Sequence, residues 1–137
     1  LAAGVRAIQP SGNVRAVEGE HAAPATAAFA AGKVVEVEAH NSFIRSIGGP
    51  TVVPALWPIV RELIDATSVA TLPQVVEAMQ VLFAQTKVVA EGAGAASLAA
   101  AMHDPRVKGN VVCVISGGNI DIEDYVQALQ GQVPVAK

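Results

Sequence analysis

A chain of 137 residues, 52% apolar and only 15% charged, has the size of one domain and the composition of a packed core, which excludes a disordered segment or a peptide-sized binder. Its formal charge of −3 and its scattered Lys and Arg side chains offer no basic field for nucleic acid, and no apolar stretch approaches the roughly 20 residues of a membrane span. One cysteine, Cys113, excludes an internal disulfide and suits a reducing, cytoplasmic setting; within its apolar surroundings it reads as an inert core thiol.

Gly4–Ile8 reads as a short strand stopped by the turn-rich cluster Gln9–Asn13, and the polar stretch Arg15–His21 as a surface loop. Pro24 suits the first turn of an Ala-rich helix running to Ala31, and Gly32 with Lys33 suits its end. Val34–Val37 has the look of a short edge strand. The segment from His40 to Pro50 ends in glycines and proline that break regular structure. Within it Arg45 is read first as an ordinary exposed arginine, with an anion contact as the sharper alternative. His21 and His40 read as surface histidines, because no cluster with metal-ligand spacing surrounds either.

A helix beginning near Thr51 or Val52 and running to Ile64 would put Trp57, Val60 and Ile64 on one face, with Pro54 and Pro58 blurring its start. Asp65–Ala70 reads as a linker or short strand. Thr71 then caps the next helix, Gln74 completes a capping box, and Pro73 sits in the first turn. Val75, Ala78, Met79 and Leu82 form that helix's apolar stripe, and Lys87 lies at its cation-favouring end. Glu91–Gly92–Ala93–Gly94–Ala95 feeds an Ala-rich helix that stops near Asp104–Pro105. An acid at a helix amino end is explained by the dipole alone; facing a ligand cleft would be a second reason for Glu91.

Five apolar residues in a row, Val111–Ile115, predict a strand buried on both faces of a parallel sheet. It ends abruptly in Ser116–Gly117–Gly118–Asn119. At such a strand exit Ser116 offers a hydroxyl, and the two glycines let backbone approach a bound group. A helix follows from about Ile120, with Val126 and Leu129 facing inward, and the tail from Gly131 looks frayed. Alternating strands and helices predict an α/β fold of three layers around a mostly parallel sheet, with residues 1–137 as a single domain.

The spacing of Glu91–Ala95 from Ser116–Asp121 resembles the carboxyl-terminal part of the threonine dehydratase and serine racemase group, fold-type II enzymes that use pyridoxal 5'-phosphate. Gly4–Pro10, Ala22–Lys33 and Trp57–Val60 with Asp65 follow the family's order, so the resemblance spans nearly the whole chain. It implies that Ser116 meets the pyridine nitrogen, that Glu91 lies near the cofactor ring and substrate channel, and that Gly117, Gly118 and Asn119 shape the wall beneath the ring. A neutral hydroxyl at that nitrogen makes the ring a weaker electron sink than a carboxylate would.

Relatives anchor the cofactor through a lysine in their amino-terminal half. None of Lys33, Lys87, Lys108 and Lys137 lies in that context, so no catalytic residue is expected in this chain, and the cofactor is not expected to be covalently bound here. The resemblance thus implies a fragment comprising most of the large cofactor-binding domain, whose partners are an amino-acid substrate, the missing amino-terminal portion and, as an open option, further copies of itself. Gln9 stands where relatives carry a glutamate that in some helps bind a divalent cation, so no metal site is expected. Ser11–Glu20 looks like an insertion, and Ser42–Ser46 replaces the family's Thr-Ile-Ala-Asp-Gly.

The implied activity is α,β-elimination from threonine or serine to a 2-oxo acid and ammonia. The alternatives are racemisation of an amino acid and a noncatalytic α/β binding domain. A dinucleotide-binding domain fits less well, because the glycines follow the last strand as Ser-Gly-Gly-Asn instead of the first as a Gly-x-Gly-x-x-Gly run.

Overall fold

Two parallel strands and six α-helices carry the fold, in a computed structural model that describes residues 1–136. In chain order they are α1 (Ala2–Ile8), β1 (Arg15–Gly19), α2 (Pro24–Ala31), α3 (Trp57–Leu63), β2 (Ala66–Ala70), α4 (Leu72–Val81), α5 (Gly92–His103) and α6 (Ile122–Leu129). β1 and β2 pair in parallel, with Arg15 opposite Ala66 and Gly19 opposite Ala70. Parallel neighbours need a crossover, here α2 and α3 with the long segment between them.

The α/β class and the parallel pairing hold, but among the described residues the sheet has two strands, so the expected three layers are not complete. Gly4–Ile8 is helical, not extended: the sequence Leu-Ala-Ala-Gly-Val-Arg-Ala-Ile is rich in good helix formers, and Arg6 ties the helix down through Gly12 O (2.8 Å) and Asp65 Oδ2 (2.5 Å). Gln9 is therefore an exposed helix cap. The strand lies further on, in the stretch expected to be a loop and an insertion. Its polar side chains have structural partners. Arg15 donates to Thr67 O and Ser68 Oγ, each at 3.0 Å, and the Glu18 carboxylate accepts from Ala25 N, Thr26 N and Thr26 Oγ1 at the start of α2.

Elsewhere capping and proline chemistry set the boundaries. Gly32 takes φ +68° to end α2, as expected of a left-handed cap. Val34–Val37 contributes only an isolated antiparallel bridge, Glu36 to Thr51. The helix expected from Thr51 starts at Trp57 behind a 3₁₀ turn at Pro54–Leu56, because Pro58 is tolerated only in the first turn. Asp65–Ala70 resolves to the strand β2. Thr71 and Gln74 form the reciprocal capping box of α4. A π-helical turn, Leu82–Thr86, ends at Lys87 with φ 62°, whose Nζ donates to Ala84 O at 2.8 Å.

The core lies where α4 packs on α5. Val75, Ala78 and Met79 of α4 are sealed against Ala95, Ala96 and Ala99 of α5, with Ala70, Ala128, Phe43 and Ile44 closing the cluster. Alanine on α5 lets the helix axes approach, and Met79 fills the remaining volume; complete burial of such a side chain stabilises by about 1.5–3 kcal/mol. α6 turns Asp124 and Ala128 inward, with Tyr125 edge-on to Phe83 at 5.9 Å, whereas Val126, expected inside, is 45% exposed.

The largest departure is Val111–Ile115. It belongs to no sheet among the described residues, and Val112 is 91% exposed. The run is pinned to α5 by Ser97 Oγ donating to Val114 O at 2.8 Å, and by Cys113 Sγ at 3.6 Å from Ser97 O. A cavity of about 460 Å³ separates it from β1, with Val14, Arg15 and Val17 on one wall and Val111, Val112 and Cys113 on the other. Cys113 is thus half-buried beside an open groove, not enclosed in the core.

Candidate functional site

Glycine spacing at the amino end of α5 draws the two motifs together. The Glu91 N–H donates to Gly117 O at 2.9 Å, and Glu91 is the N-cap residue of α5. One turn on, Gly94 lies so close to the corner that a Cβ there would stand 2.5 Å from Gly117 O and 2.9 Å from Gly117 N. A Cβ on Gly118 would stand 2.7 Å from Val89 O. Both positions therefore admit only hydrogen, which is why the chain carries glycine in each motif.

The Glu91 carboxylate does not cap its own helix. It swings over Gly117, where a Cβ would meet Glu91 Oε1 at 2.5 Å, and accepts from Ser46 Oγ at 3.1 Å on one oxygen and 3.0 Å on the other. Asn119 joins Glu91, Ser46, Arg45 and Phe43 around a cavity of about 220 Å³. Ser116 does not line this cavity: it stands one residue before the glycines, exposed, with its hydroxyl in no hydrogen bond among the described residues. The structure thus gathers Glu91, Gly117, Gly118 and Asn119 at one corner and leaves Ser116 at its open rim.

Two residues escaped the sequence reading. Ser46 reaches Glu91 across 45 positions, a distance over which no local pattern operates. His21, expected on the surface, is 6% exposed, whereas the side chain of His40 stays in solvent. Arg45 is exposed on the cavity rim without an ion-pair partner among the described residues.

The family described as pyridoxal-phosphate dependent enzyme matches residues 1–117. The chain belongs to that family. It is 31% identical over 125 residues to an L-threonine ammonia-lyase of Geobacter sulfurreducens, covering 90% of this chain and 31% of that protein. It is 30% identical over 132 residues to a serine racemase of Oryza sativa subsp. indica, covering 89% and 38% respectively. Among solved structures it superposes on a T.th. threonine deaminase with TM-score 0.83 and 32% identity, covering 89% of this chain and 42% of that one. Maize serine racemase gives TM-score 0.81 at 29% identity, with 94% and 41% covered. The chain thus spans about a third to two fifths of the length of these relatives.

Membership in the pyridoxal-phosphate family can be tested against the corner itself. A ring nitrogen needs a polar partner, which the free Ser116 hydroxyl offers, and Gly117 and Gly118 add no side chain beside it, their own close contacts being with Glu91 and Val89 O. A covalent anchor is a separate matter. Of the described lysines, Lys87 is held by Ala84 O, Lys108 borders the groove beside β1, and Lys33 follows the cap of α2. None of these lines the cavity beside Glu91, and Lys137 lies outside the described residues.

Proposed function

We propose that this chain supplies the ring-nitrogen end of the cofactor site in a pyridoxal-phosphate-dependent lyase that converts threonine or serine to a 2-oxo acid and ammonia. The observation that carries the reading is the corner where two glycine motifs interlock one residue after the exposed Ser116, with the Glu91 carboxylate fixed over Gly117. Bound there, the cofactor would act as an electron sink for the bond broken at the substrate's α-carbon. Ser116 would hydrogen-bond the pyridine nitrogen without a negative charge to hold a proton on it, which limits how much charge the ring accepts and suits elimination or racemisation. Glu91, oriented by Ser46, would sit at the ring edge and substrate entrance. Asn119 would orient the loop, and Gly117 and Gly118 would keep the wall flat.

The lysine that anchors the cofactor and moves the α-proton would come from the amino-terminal part of a longer polypeptide, to which residues 1–137 contribute most of the large domain. What supports this two-part reading is the unpaired apolar run Val111–Ile115 and the groove that separates it from β1. The relatives' greater length agrees with it.

The deciding experiment is turnover of threonine and serine by the longer polypeptide with added cofactor, with 2-oxo acid and enantiomer both measured. Production of 2-oxo acid supports the lyase. An enantiomer without 2-oxo acid makes the protein a racemase, a reading supported by its similarity to serine racemases. Neither product, with no absorbance from lysine-bound cofactor, leaves a noncatalytic binding domain. Ser116→Ala should impair turnover far more than Asn41→Ala; equal, negligible effects would discredit the assigned site.

A further inference from the structure

The segment from His40 to Ile47 is tied at each of its two ends to His21, and between them to the core and to Glu91. Its backbone carbonyl accepts from His40 N at 2.9 Å, and its ring Nε2 lies 3.2 Å from Ile47 O. A carbonyl only accepts, so Nε2 carries the proton and donates. Nδ1 is buried and without a hydrogen-bond partner. Two glycines make room for the ring. A Cβ on Gly19 would stand 2.5 Å from Nδ1, and one on Gly48, at φ +102°, would collide with Nε2. A polar ring held this tightly, with one nitrogen unpaired, is an expensive way to fill space where an aliphatic side chain would serve.

What the ring holds explains the expense. Between the two fastened ends lie Phe43 and Ile44, buried against Gly92 at the start of α5, and then Arg45 and Ser46 on the cavity. Ser46 is the residue that donates to both oxygens of Glu91. Ile47, whose carbonyl His21 grips, is its immediate neighbour in the chain.

We propose that His21 is a positioning residue: its ring holds Ile47, next to Ser46, and so fixes the Ser46 hydroxyl on the Glu91 carboxylate at the cavity, while its backbone carbonyl holds the His40 end whatever the side chain. The clamp stands on this chain's geometry alone; its consequence for turnover rests on the cofactor site proposed above. In the 137-residue chain, hydrogen exchange should read the clamp directly. His21→Leu, which cannot donate to Ile47 O, should speed exchange of the His40 and Ile44 amides, whose bonds to His21 O and Ser42 Oγ depend on the segment staying in place, by about tenfold or more, leaving α4 and α5 unchanged. His21→Gln keeps a donor near the position of Nε2 and should stay within about twofold of the parent sequence. If the Leu variant does not fold, His21→Asn replaces it, being too short to reach Ile47 O.

In the longer polypeptide, His21→Leu and Ser46→Ala should each lower kcat by about tenfold with KM nearly unchanged, and the double variant should be no slower than either single one. Effects that multiply, a Gln variant as damaged as the Leu variant, or unchanged exchange in the Leu variant would each overturn the proposal. If the exchange pattern holds while the unsubstituted longer polypeptide turns over nothing, the clamp stands and the cofactor reading is what has failed.

Discussion

The interlock between α5 and the Ser116–Asn119 corner makes a sharp prediction when one substitution is placed in two helices. Gly4 lies within α1 and Gly94 within α5. Replacing glycine by alanine inside a helix ordinarily stabilises by about 0.5–1 kcal/mol, because the unfolded chain loses freedom and the helix gains a better former. At Gly4 nothing lies within 4 Å of the new methyl, so Gly4→Ala should realise that gain. At Gly94 the methyl would stand 2.5 Å from Gly117 O and 2.9 Å from Gly117 N. Those are backbone atoms and cannot swing aside as a flexible side chain would.

Overpacking of this kind costs about 1–3 kcal/mol, which cancels or outweighs the propensity gain and leaves Gly94→Ala less stable than the parent by up to roughly 2.5 kcal/mol. Part of the strain can be relieved by pushing residues 116–118 outward, and that movement breaks the 2.9 Å bond from Glu91 N to Gly117 O. Urea unfolding of both variants measures the two signs, and hydrogen exchange at the Glu91 amide measures the displacement. The reasoning is refuted if Gly94→Ala is as stable as Gly4→Ala with the Glu91 amide still protected.

Three further outcomes follow from the same structure. Met79→Ala empties a fully buried site and should cost about 2–5 kcal/mol in urea unfolding; a loss below about 1 kcal/mol would mean that α4 and α5 collapse into the space. Asp104 is held well below the usual carboxylate range, first by the Arg106 guanidinium and then by the Ser68 hydroxyl, and Asp65 is lowered by Arg6 and by Val14 N. Folded pKa values below the unfolded ones mean that this stability is complete above about pH 5 and is lost progressively as pH falls from there through the lowered folded values. Asp104→Asn should therefore flatten the acid limb of Tm against pH, and an unchanged limb would count against these pairs. Burial pushes the Cys113 thiol up, so alkylation should be slow at neutral pH and rise about tenfold per pH unit, and fast reaction at pH 7 would contradict its placement beside α5.

Local chemistry was the legible part of this sequence. The capping box Thr71–Gln74, the proline start and glycine end of α2, and the stripe through Val75, Ala78 and Met79 depend on residues within a few positions of one another, and each appears as expected. The glycines of the corner were expected to let backbone approach a bound group, whereas the close approaches found are internal, Gly94 to Gly117 and Gly118 to Val89 O. β1 was not legible, because Arg15 and Glu18 read as surface groups until their partners, Ser68 on β2 and the amides of α2, are in place. His21 failed likewise: whether a histidine is buried depends here on Gly19, Gly48 and Ile47, and only the first lies nearby in the chain.

Val111–Ile115 shows the other limit of such reading. A run of five apolar residues states a requirement for cover on both faces, but it cannot supply the cover. Within residues 1–136 one side finds α5 through Ser97, and the edge toward β1 finds a groove of about 460 Å³. At about 25 cal/mol per Å² of apolar surface, leaving valines such as Val112 in solvent forgoes roughly 1 kcal/mol or more apiece. That deficit is a property of the sequence as much as the motifs are. It sets the exposed run apart from the surface of α6, where Ile122 and Val126 are a single exposed apolar pair one turn apart.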